Sequence, residues 1–86
     1  MRDDPMRVRV RLFASLREAA GRSEALLELR PGATAEDAWR QLAVDIPALA
    51  ARRSALAAAV NRRYAPFSTA LAEGDDLAFI PPVSGG

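Results

Sequence analysis

The 86-residue sequence contains no cysteine and no histidine. Zinc and copper sites draw mainly on nitrogen and sulfur ligands, so the two absences argue against either metal. They also remove cysteine nucleophiles, Ser-His and Cys-His pairs, and disulfide staples. Lysine is missing too, since all 12 basic residues are arginine. No Schiff-base lysine is available, and no lysine side chain can receive an acyl group. Met1 to Met6 carries Arg2, Asp3 and Asp4 with no apolar run behind it, unlike an export signal. No apolar run approaches the ~20 residues that a spanning helix requires. The expectation is a cytoplasmic chain without a membrane partner, with few side chains able to run a reaction.

What is present suffices for one modest core. Half the residues are hydrophobic, but 19 of these are alanine, and the larger core-formers are mainly ten leucines and five valines. A chain of this length sits near the low end of what buries a stable interior. The expected organisation is a loose extension over 1–5, one folded domain over 6–80 and an extended tail over 81–86. Met6 is a candidate for the true start of the folded part. The row Arg7, Arg9 and Arg11 invites a nucleic-acid reading. With a net charge of only +1 and no aromatic-rich basic motif beside it, the row reads as a solvated sheet face.

Periodicity supplies the elements. From Arg7 to Phe13, Val8, Val10 and Leu12 alternate with the arginines, which predicts a strand with one buried face and Phe13 on the arginine side. Ser15 to Ala20 reads as a short helical turn closed by Gly21. A second strand is expected over 25–30, ending at the turn pair Pro31-Gly32. Thr34-Ala35-Glu36-Asp37 resembles a capping box, followed by an apolar stripe of Ala35, Ala38, Trp39, Leu42 and Ala43 at helical spacing. Trp39 reads as a core anchor. Pro47 ends that helix, and 47–54 is expected to be irregular or a short helix. Leu56 to Asn61 reads as a strand, and Arg62-Arg63 as a turn into Tyr64. Leu71 to Asp75 carries turn chemistry, with Gly74 suited to positive φ. In the last strand, Asp76 to Ile80, Leu77 and Phe79 face inward and Ala78 and Ile80 outward. The fold class is therefore α+β, a mixed sheet of about five strands with one main helix on one face. A β-grasp arrangement, with the first and last strands adjacent and parallel in the centre, suits this order.

The C-terminal residues Pro81-Pro82-Val83-Ser84-Gly85-Gly86 read as the functional element. Two prolines end ladder pairing and favour an extended exit. Six extended residues reach roughly 20 Å at ~3.3 Å each, enough to enter a partner's active site. Gly85 and Gly86 lack Cβ atoms, so a terminal carboxylate could pass down a narrow channel. At ~7% glycine usage a double-glycine end arises by chance in about one chain in two hundred. A free α-carboxyl titrates near ~3.5, so at neutral pH it is ionised and a poor electrophile. Adenylation by ATP would activate it, and with no phosphate-cradling glycine loop here the activating site must lie on a partner. Attack by an amine would give a conjugate, and attack by a sulfur donor a thiocarboxylate.

Three segments carry a specific resemblance. Gly74 to Gly86, with its final strand and Pro-Pro-Val-Ser-Gly-Gly end, resembles the C-terminus of the small, sulfur-carrier subunit of molybdopterin synthase. Arg9 to Glu18 is similar to that family's first strand and turn, and Ala58-Ala59-Val60-Asn61 to its third strand. The resemblance spans 6–86 and is weakest over 32–55. It implies a ubiquitin-like β-grasp fold and a non-catalytic role in molybdenum cofactor biosynthesis. The Gly86 carboxylate would be adenylated by an E1-like enzyme that uses ATP, and a sulfurtransferase step would make it a thiocarboxylate. The tail, Pro81, Pro82, Val83, Ser84 and Gly85, would then insert into the large subunit of a heterotetrameric synthase, where sulfur passes to the cyclic pyranopterin precursor. The chain itself would bind no cofactor or metal. An apolar partner interface would comprise Phe13, Tyr64 and Ile80. Two other readings use the same tail, a sulfur carrier for the thiazole of thiamine and a ubiquitin-like protein modifier. Thiazole carriers are usually shorter and lack the double proline.

Overall fold

Alternating valines and arginines make β1 (Met6–Leu12), which buries Met6, Val8, Val10 and Leu12 and turns Arg7, Arg9 and Arg11 to the other face. These facts come from a computed structural model that describes residues 4–82. The expectations placed on Val83, Ser84, Gly85 and Gly86, and on residues 1–3, lie outside the described residues. β1 stops before Phe13, one residue short of the expected end, because Phe13 is the N-cap of α1 (Ala14–Ala20). The Phe13 carbonyl accepts from the Leu16 and Arg17 amides at 3.0 and 3.4 Å. Gly21, in the left-handed conformation at φ 74°, closes α1 by donating to the Arg17 carbonyl.

β2 (Glu24–Leu29) pairs antiparallel with β1, with Val8 opposite Leu27 and Met6 opposite Leu29. It sits one residue earlier than expected, because Glu24 pairs with Arg11. α2 (Ala35–Asp45) starts with the expected capping box. Thr34 Oγ1 accepts from the Asp37 amide at 3.2 Å, and Asp37 Oδ2 accepts from the Thr34 amide at 2.9 Å. Ala35, Ala38, Trp39 and Leu42 form its buried stripe, while Ala43 is only half-buried. A 3₁₀ helix, Pro47–Arg52, then drives Leu49 fully into the core.

β3 (Ala57–Val60), β4 (Arg63–Ala65) and β5 (Asp76–Ile80) complete a five-stranded sheet in the order β2-β1-β5-β3-β4. β1 and β5 are parallel and every other pair is antiparallel. The chain therefore adopts the β-grasp arrangement, with α2 across one face. Leu77 and Phe79 face inward with no exposure. Phe79 meets Trp39 edge-on at 5.1 Å and stacks on Phe67 at 5.8 Å. Leu71, read as part of a turn, is also buried, because a loop crossing the edge of the core supplies it. Arg53 caps this cluster, lying 3.5 Å over the Phe67 ring with its Nη2 donating to Glu36 at 2.7 Å. Among the described residues no polar or charged residue is buried, and no helix is long and apolar enough to cross a membrane.

Candidate functional site

The face of the sheet away from α2 carries an open groove, and its floor is set by two small residues. Strand register places Ala78 of β5 beside Ala59 of β3 and, on its other flank, beside Arg11 of β1. Between larger neighbours the two alanines leave a depression of about 310 Å³. Phe13, Tyr64 and Ile80 all line it, together with Arg11, Arg62 and Asp76. Phe13 is 43% exposed and Tyr64 77%, while Ile80 is half-buried. The structure thus brings together three side chains from three separate segments. Exposed apolar surface concentrated in one concavity is characteristic of interaction sites.

The tail leaves beside this groove. β5 lies between β1 and β3, so the chain emerges from the centre of the sheet. Pro81 and Pro82 lie near Phe13, Ala14, Ser15 and Glu18 on one side, and near Arg52, Ser54 and Leu56 on the other. Ile80 and Phe13 therefore border both the groove and the tail exit. Ala14 has φ 50°, a strained value for a residue other than glycine, at the step where the chain turns from β1 into α1 and Phe13 is presented outward.

Charge is sparse and mostly paired. Arg11 Nε is shielded from solvent and lies 3.2 Å from Asp76 Oδ2, yet it makes no aligned hydrogen bond. The two therefore form an ion pair across the groove wall rather than a hydrogen-bonded clamp. Asn61 links the β3–β4 turn to β5, accepting from the Asp76 amide and donating to Asp75 Oδ1, both at 3.0 Å. The two carboxyls held below their ordinary range belong to α2, on the opposite side of the sheet. For Glu36 the main cause is the Arg53 hydrogen bond, and for Asp37 the Thr34 amide. Among the described residues no cluster of acidic side chains could hold a metal ion. Apolar side chains and one ion pair dominate this surface, and the chain leaves beside it at Pro81 and Pro82.

Ala59, Ala78, Arg11 and Arg62 escaped the sequence reading as groove residues. Outward parity placed Ala78 on this face, but its pairing with Ala59 depends on register between strands distant in the chain. Arg62 was read as one of a turn pair, and the turn's proximity to Phe13 is a tertiary fact.

Comparison with known proteins gives concordant results. Residues 10–86 match the ThiS family. The molybdopterin synthase sulfur carrier subunit of Chlamydomonas reinhardtii is 40% identical over 83 residues, covering 94% of this chain and 100% of the relative. The crystal structure of SAMP1, small archaeal modifier protein 1, from Haloferax volcanii superposes with a TM-score of 0.86 at 34% identity, covering 93% of this chain and 99% of that one. Two more distant structures are alike in fold alone. One is a complex of subunits 1 and 2 of molybdopterin-converting factor from Helicobacter pylori, with TM-score 0.65, 23% identity, and coverage of 94% and 100%. The other is a ubiquitin from Caldiarchaeum subterraneum, with TM-score 0.61, 18% identity, and coverage of 95% and 99%.

Proposed function

From the premise that the chain belongs to the ThiS family, we propose that it is the sulfur carrier of a molybdopterin synthase. The observation that carries this reading is the exit of the central strand, through Pro81 and Pro82, beside an exposed apolar groove. That layout suits a subunit that docks by its sheet face while its tail reaches into a partner. The similarity to the Chlamydomonas sulfur carrier subunit supports molybdopterin rather than thiazole as the product.

In this proposal Gly86 supplies the reacting atoms. Its carboxylate oxygen attacks the α-phosphorus of ATP on an adenylating enzyme, and pyrophosphate leaves. Hydrosulfide, sulfur at the sulfide level released by a sulfurtransferase with a thiol as reductant, displaces AMP from the carbonyl carbon and leaves a thiocarboxylate and a proton. Inside the large subunit the sulfur passes to the pyranopterin precursor, and Gly86 returns as a carboxylate after hydrolysis. The residues of the carrier position this chemistry without catalysing it. Phe13, Tyr64 and Ile80 hold the partner, and Pro81, Pro82, Val83, Ser84 and Gly85 extend the end into its channel. In this proposal the chain works in the cytoplasm, where ATP is available to the activating partner.

One observation favours a second reading. The 34% identity to an archaeal modifier protein suits a role in which activated Gly86 is transferred to lysines of other proteins. The intact mass of the untagged chain from its own cells separates the two. A fraction heavier by sulfur in place of oxygen, localised to Gly86, is expected. Unmodified chain together with Gly86-linked conjugates would overturn the sulfur-carrier reading in favour of the modifier.

A further inference from the structure

The turn between β3 and β4 holds an arginine where the backbone conformation favours glycine. Val60 pairs with Arg63, so Asn61 and Arg62 are the two central turn residues, with φ 52° and 72°. Positive φ at both positions is the requirement of a type I′ turn, whose second centre glycine fills at least steric cost. Asn61 has local compensation. Asparagine tolerates this conformation, its side chain bridges to Asp75 and Asp76, and its amide donates to the Asp76 carbonyl at 2.7 Å. The Arg62 side chain has none, making no hydrogen bond or ion pair among the described residues. It lines the groove instead, near Ala59 and Tyr64.

The groove's other charges face one another as an ion pair. Arg11 and Asp76 face each other at 3.2 Å and cancel, so Arg62 is left as the unmatched cation on the rim. An unpaired guanidinium held at a strained position beside an exposed apolar concavity combines two independent signals, since backbone strain concentrates at functional sites. A guanidinium fork matches a carboxylate in geometry and charge. The apolar floor over Ala59 and Ala78 calls for an aliphatic or aromatic side chain next to that carboxylate, which suits a protein segment and not a nucleotide.

We propose that Arg62 is a partner-recognition residue. Its guanidinium takes an Asp or Glu side chain of the docking subunit, while a neighbouring apolar side chain of that subunit fills the depression between Phe13, Ile80 and Tyr64. The inference rests on the docking role proposed above, and it adds the chemistry that the partner surface must carry. Glycine at this position would relieve the turn, so Arg62 exchanges fold stability for recognition.

The test measures affinity for the large subunit of molybdopterin synthase from the same organism, at low and physiological salt, alongside thermal melting. Arg62→Gly is expected to weaken binding about tenfold and to lose most of the salt dependence. The same variant should melt about 4 °C higher. Arg62→Lys, which keeps the charge and loses the fork, should keep the salt dependence and recover only part of the affinity. If Phe13→Ala weakens binding and Arg62→Gly does not, the inference falls and the docking role stands. If the unaltered chain does not bind, or neither variant weakens binding, the docking role fails and the inference with it. Loss of affinity together with a lower melting temperature would make Arg62 a fold-supporting residue and overturn the proposal.

Discussion

Phe79 and Phe13 belong to the two faces of one sheet. Phe79, on β5, faces α2 with no exposure, against Trp39 on one side and Phe67 on the other. Phe13, just past the end of β1, lies on the opposite face and keeps 43% of its surface in water. The same alternation generates both environments, and the chain supplies cover for only one of them. α2, the 3₁₀ helix and the loop bearing Phe67 and Leu71 close the inner face. Nothing among the described residues closes the outer one, and its apolar end lies where the tail departs. A small domain that leaves aromatic surface uncovered gives up part of its own hydrophobic stabilisation. The inner face accordingly carries stability, and the outer face is free to carry recognition.

That division can be broken in graded ways. The largest effect is expected from a change outside the described residues. Deleting Gly86 should abolish sulfur transfer in a reconstituted synthase and leave the melting temperature unchanged. Full transfer by the shortened chain would move the chemistry away from the terminal carboxylate. Next comes the pair of phenylalanines. Phe79→Ala should cost about 3–5 kcal/mol of unfolding free energy, a large share of the ~5–15 kcal/mol typical of a domain. Phe13→Ala should cost under ~1 kcal/mol of stability and weaken binding to the large subunit by ~2 kcal/mol or more. Comparable stability losses in the two variants would erase the distinction between the faces.

The smallest effect is a pH dependence that Glu36 and Asp37 bring to the inner side. Glu36 is held below its ordinary value of 4.5, first by the Arg53 hydrogen bond, and Asp37 below 3.8, first by the Thr34 amide. Because both are depressed in the folded state, their contribution is complete above the unfolded values. It is lost as pH falls through the depressed ones. Melting temperature should therefore decline below about pH 4.5, and Glu36→Gln should flatten the upper part of that decline. Both carboxyls are partly solvated, which keeps the effect modest. An unchanged acid profile in Glu36→Gln would show that the Arg53 contact adds nothing to the fold.

Much of the inner face was legible in advance because its signals are local. The alternation of Val8, Val10 and Leu12, the pairing of Thr34 with Asp37 and the stripe from Ala35 to Leu42 each occupy one short window. Element ends shifted by a residue where a neighbour intervened. Phe13 became a helix cap instead of a strand residue, and Glu24 joined β2 through its pairing with Arg11. Leu71 was missed as a core residue, and Phe67 as a side chain packed against the core, because loops have no period to betray them. Phe13 and Ile80 were placed outward by parity. The groove they share with Arg62 depends on how β1, β5 and β3 stand side by side.

The order of residues alone determined which segments become strands and helix, where α2 begins, and that cysteine, histidine and lysine chemistry is closed to this chain. Those are consequences of backbone preference, side-chain period and composition, and they act over a few residues. Tertiary structure decided that β5 lies between β1 and β3, that Ala59 and Ala78 meet to open a groove, and that Arg62 stands on its rim without a counter-charge among the described residues. Those depend on register between strands far apart in the chain, which is settled only when the whole inner face packs at once.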